Sequence, residues 1–390
     1  MKELAILLSL VLLIWWAIQV FLSLRFFLYL RSHHQDTLPD NQLPKTAVIV
    51  YLRGTDPLLS KCLRSLLNQN YPQYDLKLVI DNEQDPAWNI VTETLSQETS
   101  QNVQVSPLRI ASPNCSLKCS SLVQAVSELD DSYKVVASVD TNVIVHSNWL
   151  RELVSPLANP KVGATTGNCW YVPTGKSLGS LVRYSWNIYA VVQMYTHQIP
   201  WGGALAIKTK LIHQTGLLDK WGQACREDTM IYSVLAKHGK QVVFVPSLMT
   251  LNREECQLSS FQSSLKRQLL SSRLYHPQWW AIVAESVLSV LLPNMMLVLF
   301  VAALCTKQWD AAAIFFNSFG AYMQALLLLA IALEKSVQHV LRQHHQPLTK
   351  LSPVTTMKMS ISFPLTQWIY GIAMISSLGM TKVKSLRANY

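Results

Sequence analysis

Charge is scarce in this chain. Only 14% of its 390 residues are Asp, Glu, Lys or Arg against 50% hydrophobic, and mean hydropathy is positive. That balance excludes an ordinary soluble enzyme and leaves room for one large catalytic domain beside membrane segments. The charge that is present leans basic, at net +10, yet nowhere do basic residues interleave with aromatics as a nucleic-acid groove requires. No nucleic-acid partner is expected, and a basic surface facing an anionic bilayer accounts for the excess. Cysteine spacing for metal or redox work is missing as well. Cys62, Cys115, Cys119, Cys169, Cys225, Cys256 and Cys305 include no Cys-x-x-Cys, and Cys115 and Cys119 have no His beside them. A reduced cytosolic compartment fits these thiols.

The apolar residues concentrate at the two ends. Leu4 to Leu24 is broken only by Ser9, Gln19 and Ser23, about the 20 residues needed to cross a bilayer core. It is too long for a signal-peptide core and lacks a small-residue cleavage site, so it reads as a retained anchor. Arg25, Arg31, His33, His34 and Lys45 follow it, against Lys2 before it, which places the following domain in the cytosol. Trp280 to Cys305, with Glu285 and Pro293 inside, and Ala311 to Leu333 are long enough to span, joined at Lys307 to Asp310. Lys335, Arg342, Lys350 and Lys358 then fall on the cytosolic side. Ser360 to Met380 is shorter and carries Pro364, Gln367 and Gly371; a re-entrant or interfacial hairpin there would keep Lys382, Lys384 and Arg387 inside. The expected division is an anchor over 1–34, a cytosolic domain over 35–278 and a membrane region over 279–390 with two or three hydrophobic helices.

Between the ends, strands run into carboxylates. Thr46 to Tyr51 reads as a strand, Leu59 to Asn68 as a helix, and Leu76 to Ile80 as a second strand ending at Asp81. Strand, helix, strand at this spacing is a crossover unit of a parallel sheet. Leu117 to Leu129 is a further helix, followed by Val135-Val136-Ala137-Ser138-Val139, a strand buried on both faces that runs into Asp140. Ligands bind where strand carboxyl ends open into a crevice, so Asp140 could hold a divalent cation, or it could cap the following turn. Paired Gly202 and Gly203 suit a backbone that approaches a ligand closely. Glu227 and Asp228 read as opening a helix through His238 to Gly239, where acidic residues are equally explained by the helix dipole.

The order strand, Asp81, strand, Asp140, then Glu227-Asp228 resembles a family 2-type inverting glycosyltransferase of the GT-A fold. Within it, Leu52-Arg53-Gly54-x-Asp56-Pro57, Tyr71-Pro72-x-Tyr74, Asp85-Pro86-Ala87 and Lys118 resemble the ceramide glucosyltransferase branch with its hopanoid-type relatives. The resemblance implies an α/β, Rossmann-like GT-A catalytic domain moving a sugar from a nucleotide donor, with UDP the expected carrier, to a lipid hydroxyl. It implies a divalent metal, Mg²⁺ or Mn²⁺, on Asp140 and Asn142, and donor contacts from Asp81, Lys118, Gly203 and Arg267. Asp228 is implied as the catalytic base, with Glu227 beside it.

Two departures stand out. Asp140-Thr141-Asn142 replaces Asp-x-Asp, and Ser264-Leu265-Lys266-Arg267-Gln268 keeps only the Arg of the family's Gln-x-x-Arg-Trp. The resemblance gives that Arg to the donor diphosphate and the missing Trp to the acceptor pocket. The other classes compatible with the sequence are a non-catalytic GT-A-fold membrane protein, acting as nucleotide-sugar sensor or scaffold, and a polysaccharide synthase.

Overall fold

The computed structural model describes residues 1–32, 37–98, 102–173, 177–343 and 353–381. His33, His34, Gly175, Lys350 and the tail with Lys382, Lys384 and Arg387 lie outside them, so the charge pattern expected there has no structural counterpart to compare.

A seven-stranded mixed sheet forms the centre, made of β1 (Thr46–Leu52), β2 (Tyr74–Ile80), β3 (Val103–Pro107), β4 (Val135–Val139), β5 (Val162–Tyr171), β6 (Ala204–Lys208) and β7 (Gln241–Asn252), in the order β3-β2-β1-β4-β6-β5-β7. The first four are mutually parallel, as the crossover pattern predicts; β6 runs antiparallel to both neighbours, and β7 is parallel to β5. Period-two alternation divides β1 between two cores. Val48, Val50 and Leu52 pack with Leu63, Leu66 and Trp149 on one face, while Ile49 faces Cys119, Leu122 and Trp221 on the other. Leu63 is fully buried, so Leu63→Ala would cost about 2–5 kcal/mol. All seven cysteines are free thiols and five of them are buried; Cys115 and Cys119 belong to the core.

Among the described residues three helices are long and apolar enough to cross a membrane: Lys2–Ser32, Trp279–Cys305 and Trp309–Gln343. The first exposes Leu7, Ile14, Phe21 and Leu28 along one stripe, while Ala5, Leu12 and Trp15 pack against Met296, Phe315 and Tyr322 from the C-terminal part. The two ends of the chain therefore build one helical bundle. Lys2 pairs with Asp310 at 2.9 Å at one end of it, and at the other the Tyr29 hydroxyl donates to the Phe244 carbonyl of β7 (2.6 Å). Glu334 ties the bundle to the sheet domain by accepting from Trp170 Nε1 (3.1 Å) and the Tyr184 hydroxyl (2.6 Å).

The expected hairpin near Ser360–Met380 is corrected: Pro353–Leu378 is one continuous helix with Pro364 inside it. Proline removes a single backbone bond, and Ile369, Ala373 and Met374 pack the helix beyond that defect against Leu265, Leu269 and Trp279. The span before Pro293 is also irregular. Pro293 has no N–H for the carbonyl of Ser289, and the preceding turn, Val287–Leu291, widens into a π-helix.

Candidate active site

Because β1, β2 and β4 are parallel neighbours, the residues that follow β2 and β4 emerge at one sheet edge, and these are Asp81 and Asp140. The loop after β1 is fixed between them. Gly54, at φ +70°, donates its N–H to Asp85 Oδ1 (2.8 Å), and the same oxygen caps the helix Pro86–Ser96 through Ala87 N–H. Thr141 donates to Asp56 Oδ2 (3.1 Å), tying that loop to the turn after β4, which Val143 N–H closes onto the Asp140 carbonyl (3.3 Å). Asn142 sits in this turn. Asp81 itself faces Arg53, at 3.5 Å.

Lys118 is the hub. It lies in the first turn of the helix Leu117–Ser127, whose N-cap Ser116 accepts from Cys119 N–H (3.2 Å). Its Nζ is 2.5 Å from Asp140 Oδ1 and 2.6 Å from Glu227 Oε1, and it also donates to the Gly202 carbonyl (3.4 Å). Burial works against the ammonium, but the two carboxylates outweigh it and hold its pKa above the ordinary lysine value.

Asp228 is engaged on both oxygens. The Arg226 guanidinium forks onto it (Nε to Oδ1 3.2 Å, Nη2 to Oδ2 2.8 Å), the Thr229 hydroxyl donates to Oδ1 (2.9 Å) and Gly202 N–H to Oδ2 (3.2 Å). Burial pushes its pKa up, but Arg226, Lys118 and the Thr229 bond together bring it down to about 2. The helix-start expectation for this pair is corrected. The helix here is Ile231–Ala236, so Glu227 and Asp228 precede it in irregular backbone, each drawn inward by its own cation. The expected end at His238 also moves back to Ala236, with Gly239 following at φ +65°.

The paired glycines have a steric reason that the sequence does not display. A Cβ on Gly202 would lie 1.9 Å from Glu227 Oε1; one on Gly203 would lie 2.2 Å from the Trp201 ring and 2.7 Å from Asp140 Oδ2. Their small size lets three acidic side chains and Trp201 converge on one backbone segment.

Arg267, on the helix Leu258–Tyr275, has no carboxylate partner among the described residues. Burial and the neighbouring charge of Arg226 lower its pKa. Ser264 and Gln268 of this helix line a cavity of about 250 Å³ whose floor is Asp140, Arg226 and Asp228. Gln268 occupies the position of the family's Trp, and aromatic walls come from elsewhere: Trp186 and Trp201. Ile282 and Tyr370, from the C-terminal helices, also line it.

For a divalent ion the chain offers Asp140 Oδ2, which has no hydrogen-bond donor among the described residues, and the amide of Asn142. No group of three or more His, Cys, Asp or Glu side chains could hold a metal among the described residues. This set fits an ion that shares its ligands with a substrate diphosphate and water, the usual arrangement for Mg²⁺-type ions, and does not fit a free-standing site.

Sequence reasoning missed a further polar cluster beside this cavity. His197 Nε2 is 3.0 Å from Glu285 Oε1, its Nδ1 is 2.6 Å from Gln278 Oε1, and Gln193 donates to Glu285 Oε2 (2.6 Å). The one available signal was Glu285 itself, a carboxylate inside an apolar run.

A mixed sheet of this order, with acidic residues at the carboxyl ends of neighbouring strands, is the architecture of GT-A-type glycosyltransferases. The model for glycosyl transferase family 21 matches residues 5–357, and the chain belongs to that family. This refines the family 2-type likeness read from the motifs to a family that takes in the N-terminal helix and most of the C-terminal bundle. Among solved structures, the chain is similar to the mannosyltransferase PcManGT from Pyrobaculum calidifontis in complex with GDP-Man and Mn²⁺. Identity is 16% and the TM-score 0.54, over 95% of this chain and 99% of that one. It is also similar to glucosyl-3-phosphoglycerate synthase from Mycobacterium tuberculosis, at 11% identity and TM-score 0.39, over 61% of this chain and 84% of that one. At such identity the likeness to PcManGT establishes the fold.

Proposed function

We propose that this glycosyltransferase moves a sugar from a nucleotide diphosphate donor to the hydroxyl of a membrane lipid, with inversion, from a cytosolic domain over 35–278 held between an anchor over 1–34 and the membrane region over 279–390. One observation carries the reading: the cavity lined by Asp140, Arg226 and Asp228 is also lined by Ile282, from the candidate span Trp279–Cys305, and by Tyr370, from the last helix. An acceptor resting in the bilayer meets the carboxylates without leaving it. PcManGT, of the same fold, binds GDP-Man and Mn²⁺, which supports a nucleotide-sugar donor and a divalent ion here.

In this proposal Asp81 meets the base or ribose, Gly203 gives room for the donor, and Asp140 with Asn142 holds the ion, which neutralises charge on the departing diphosphate when bound. Lys118 keeps the Asp140 carboxylate aimed while adding positive charge at the same edge. Arg267, with no carboxylate partner among the described residues, forks onto phosphate oxygens of the donor. Asp228 is favoured over Glu227 as the base because it lines the cavity, whereas Glu227, equally buried, is not part of the lining and pairs with Lys118. Its low pKa makes it a poor base while Arg226 grips it. A donor diphosphate competes for that guanidinium, and drawing Arg226 away leaves Asp228 free to accept the hydroxyl proton. The same grip favours the second reading, a protein that binds nucleotide sugar without turnover.

Purified full-length protein in nanodiscs, given a membrane lipid extract and UDP-glucose or GDP-mannose, should yield a glycolipid by mass spectrometry. The new anomeric bond should be inverted by NMR. Nucleotide binding without any product supports the sensor instead, and equal use of water-soluble acceptors refutes the lipid assignment.

A further inference from the structure

Within the helical bundle lies a second cavity, of about 120 Å³, bounded by Lys2–Ser32, Leu178–Thr196, Trp279–Cys305 with its π-turn, Trp309–Gln343 and Pro353–Leu378. Its deep walls are mostly apolar or aromatic, among them Leu22, Val290, Leu326 and Phe363. It adjoins the candidate active-site cavity. Trp186, Ala190, Gln193 and Tyr370 line both, so the two spaces adjoin across one shared wall. At that wall stands the polar cluster described above, where Gln193 bridges to Glu285 and Glu285 faces His197.

We propose that this intrabundle slot holds a hydrocarbon chain of the lipid acceptor, with Gln193 and Glu285 receiving the polar group next to the reacting hydroxyl. The inference rests on the lipid-acceptor reading above and adds where the lipid lies. Close packing is the rule in protein interiors, and empty apolar space is retained at a loss of contacts. Cavities of about this size lined by aliphatic and aromatic side chains stay dry and accept small hydrocarbons. The slot is wide enough for a short stretch of one chain, the remainder of which can run between helices into the bilayer. The π-turn contributes directly. It presents Ser289 to Trp15 Nε1 (3.1 Å) and Gln19 (3.4 Å), so these three polar groups of the slot's walls are bonded to one another. At its mouth the ligand's polar end would exchange bonds with Gln193 and Glu285, which are already hydrogen-bonded and so not left orphaned when the slot is empty.

The test narrows the slot away from the chemistry. Ser23 lines it from the N-terminal helix, is 4% exposed, and touches none of the proposed donor residues. Ser23→Phe should fill the space, and Leu326→Ala should enlarge it without adding bulk. Each full-length variant is purified in nanodiscs. Melting and nucleotide binding in the presence of Mn²⁺ serve as folding controls, and two quantities are read: co-purifying lipid by native mass spectrometry, and the apparent KM for a membrane lipid extract. Ser23→Phe should lose retained lipid and raise the lipid KM at least tenfold while binding nucleotide normally. Leu326→Ala should retain lipid. Should Ser23→Phe misfold, Val192→Phe on the facing helix repeats the narrowing from the other side. A folded, nucleotide-binding narrowed variant with unchanged lipid retention and KM overturns the slot. Absence of any glycolipid from the wild type instead overturns the acceptor reading, and lipid retention alone then decides whether the slot binds a chain.

Discussion

Removing the Lys118 ammonium should destabilise the domain by an amount set mainly by Glu227, and a paired substitution should restore much of it. Lys118 Nζ lies 2.5 Å from one carboxylate and 2.6 Å from the other, so the two facing oxygens are at most about 5 Å apart. With an effective dielectric of about 20, their mutual repulsion is roughly 3 kcal/mol once the cation is gone. The partners are not equivalent. Glu227 is 4% exposed, whereas Asp140 is 35% exposed and solvent screens its share. Lys118→Met should therefore cost about 3–5 kcal/mol, the usual penalty for leaving a buried charge unpaired. Over a catalytic domain of this size that is a fall of roughly 6–20 °C in melting temperature.

Lys118→Met combined with Glu227→Gln removes both charges and should recover much of the loss. A coupling of about 2–3 kcal/mol is expected between Lys118 and Glu227, against less than about 1 kcal/mol between Lys118 and Asp140. Melting of the full set of single and double variants in one detergent, followed by intrinsic fluorescence, measures both couplings. Strictly additive losses, or a larger coupling to Asp140 than to Glu227, would refute the reasoning.

Asp228→Asn keeps the shape but cannot take a proton, so transfer should fall at least about a hundredfold with nucleotide binding preserved, as single-turnover assays would reveal. Because the Asp228 pKa of about 2 lies below the ordinary aspartate value of 3.8, the group adds stability that is present above that ordinary value and disappears as pH falls through its folded pKa. The melting advantage of wild type over Asp228→Asn should accordingly shrink as pH is lowered from about 5 toward 2. Gly202→Ala puts a Cβ 1.9 Å from Glu227 Oε1 and should cost about 1–3 kcal/mol together with most activity, read by melting and turnover. Asp140→Asn should abolish the difference in nucleotide binding between Mn²⁺ and EDTA, by calorimetry. Protease added outside sealed spheroplasts should spare 35–278, and cleavage there would reverse the topology.

The parts of the site legible in the sequence were those fixed locally. A continuous apolar run ending in a carboxylate marks a buried parallel strand and its carboxyl end, which is why β2 and β4, with Asp81 and Asp140 following them, could be read directly. Glu227 and Asp228 could be named but not placed. Their backbone is decided by Lys118, more than a hundred residues earlier, and by Arg226, and a local helix signal carries no trace of the first. Pro364 misled for a related reason: a helix breaker in isolation is tolerated where a neighbouring helix covers the turn. The His197–Glu285 contact joins segments that no periodicity connects.

That long-range dependence explains how the two apolar ends, which look like mere anchors, take part in the site. The N-terminal helix contributes Trp15, Gln19 and Ser23 to the bundle interior, and the C-terminal helices contribute Ile282 and Tyr370 to the active-site wall. Glu334 fixes the bundle to β5 and to the helix Leu178–Thr196 through Trp170 and Tyr184, and that helix also carries Trp186 and Gln193 into the cavity. A catalytic domain cut free at 35–278 would keep its sheet and its carboxylates but lose one side of the space above them. It should still bind nucleotide, because Asp81, Lys118 and Asp140 are held by the sheet edge, while transfer to lipid requires the bundle. On the proposed reading the C-terminal helices are thus part of the candidate site's architecture, and Gln193, bonded to Glu285, lines both cavities.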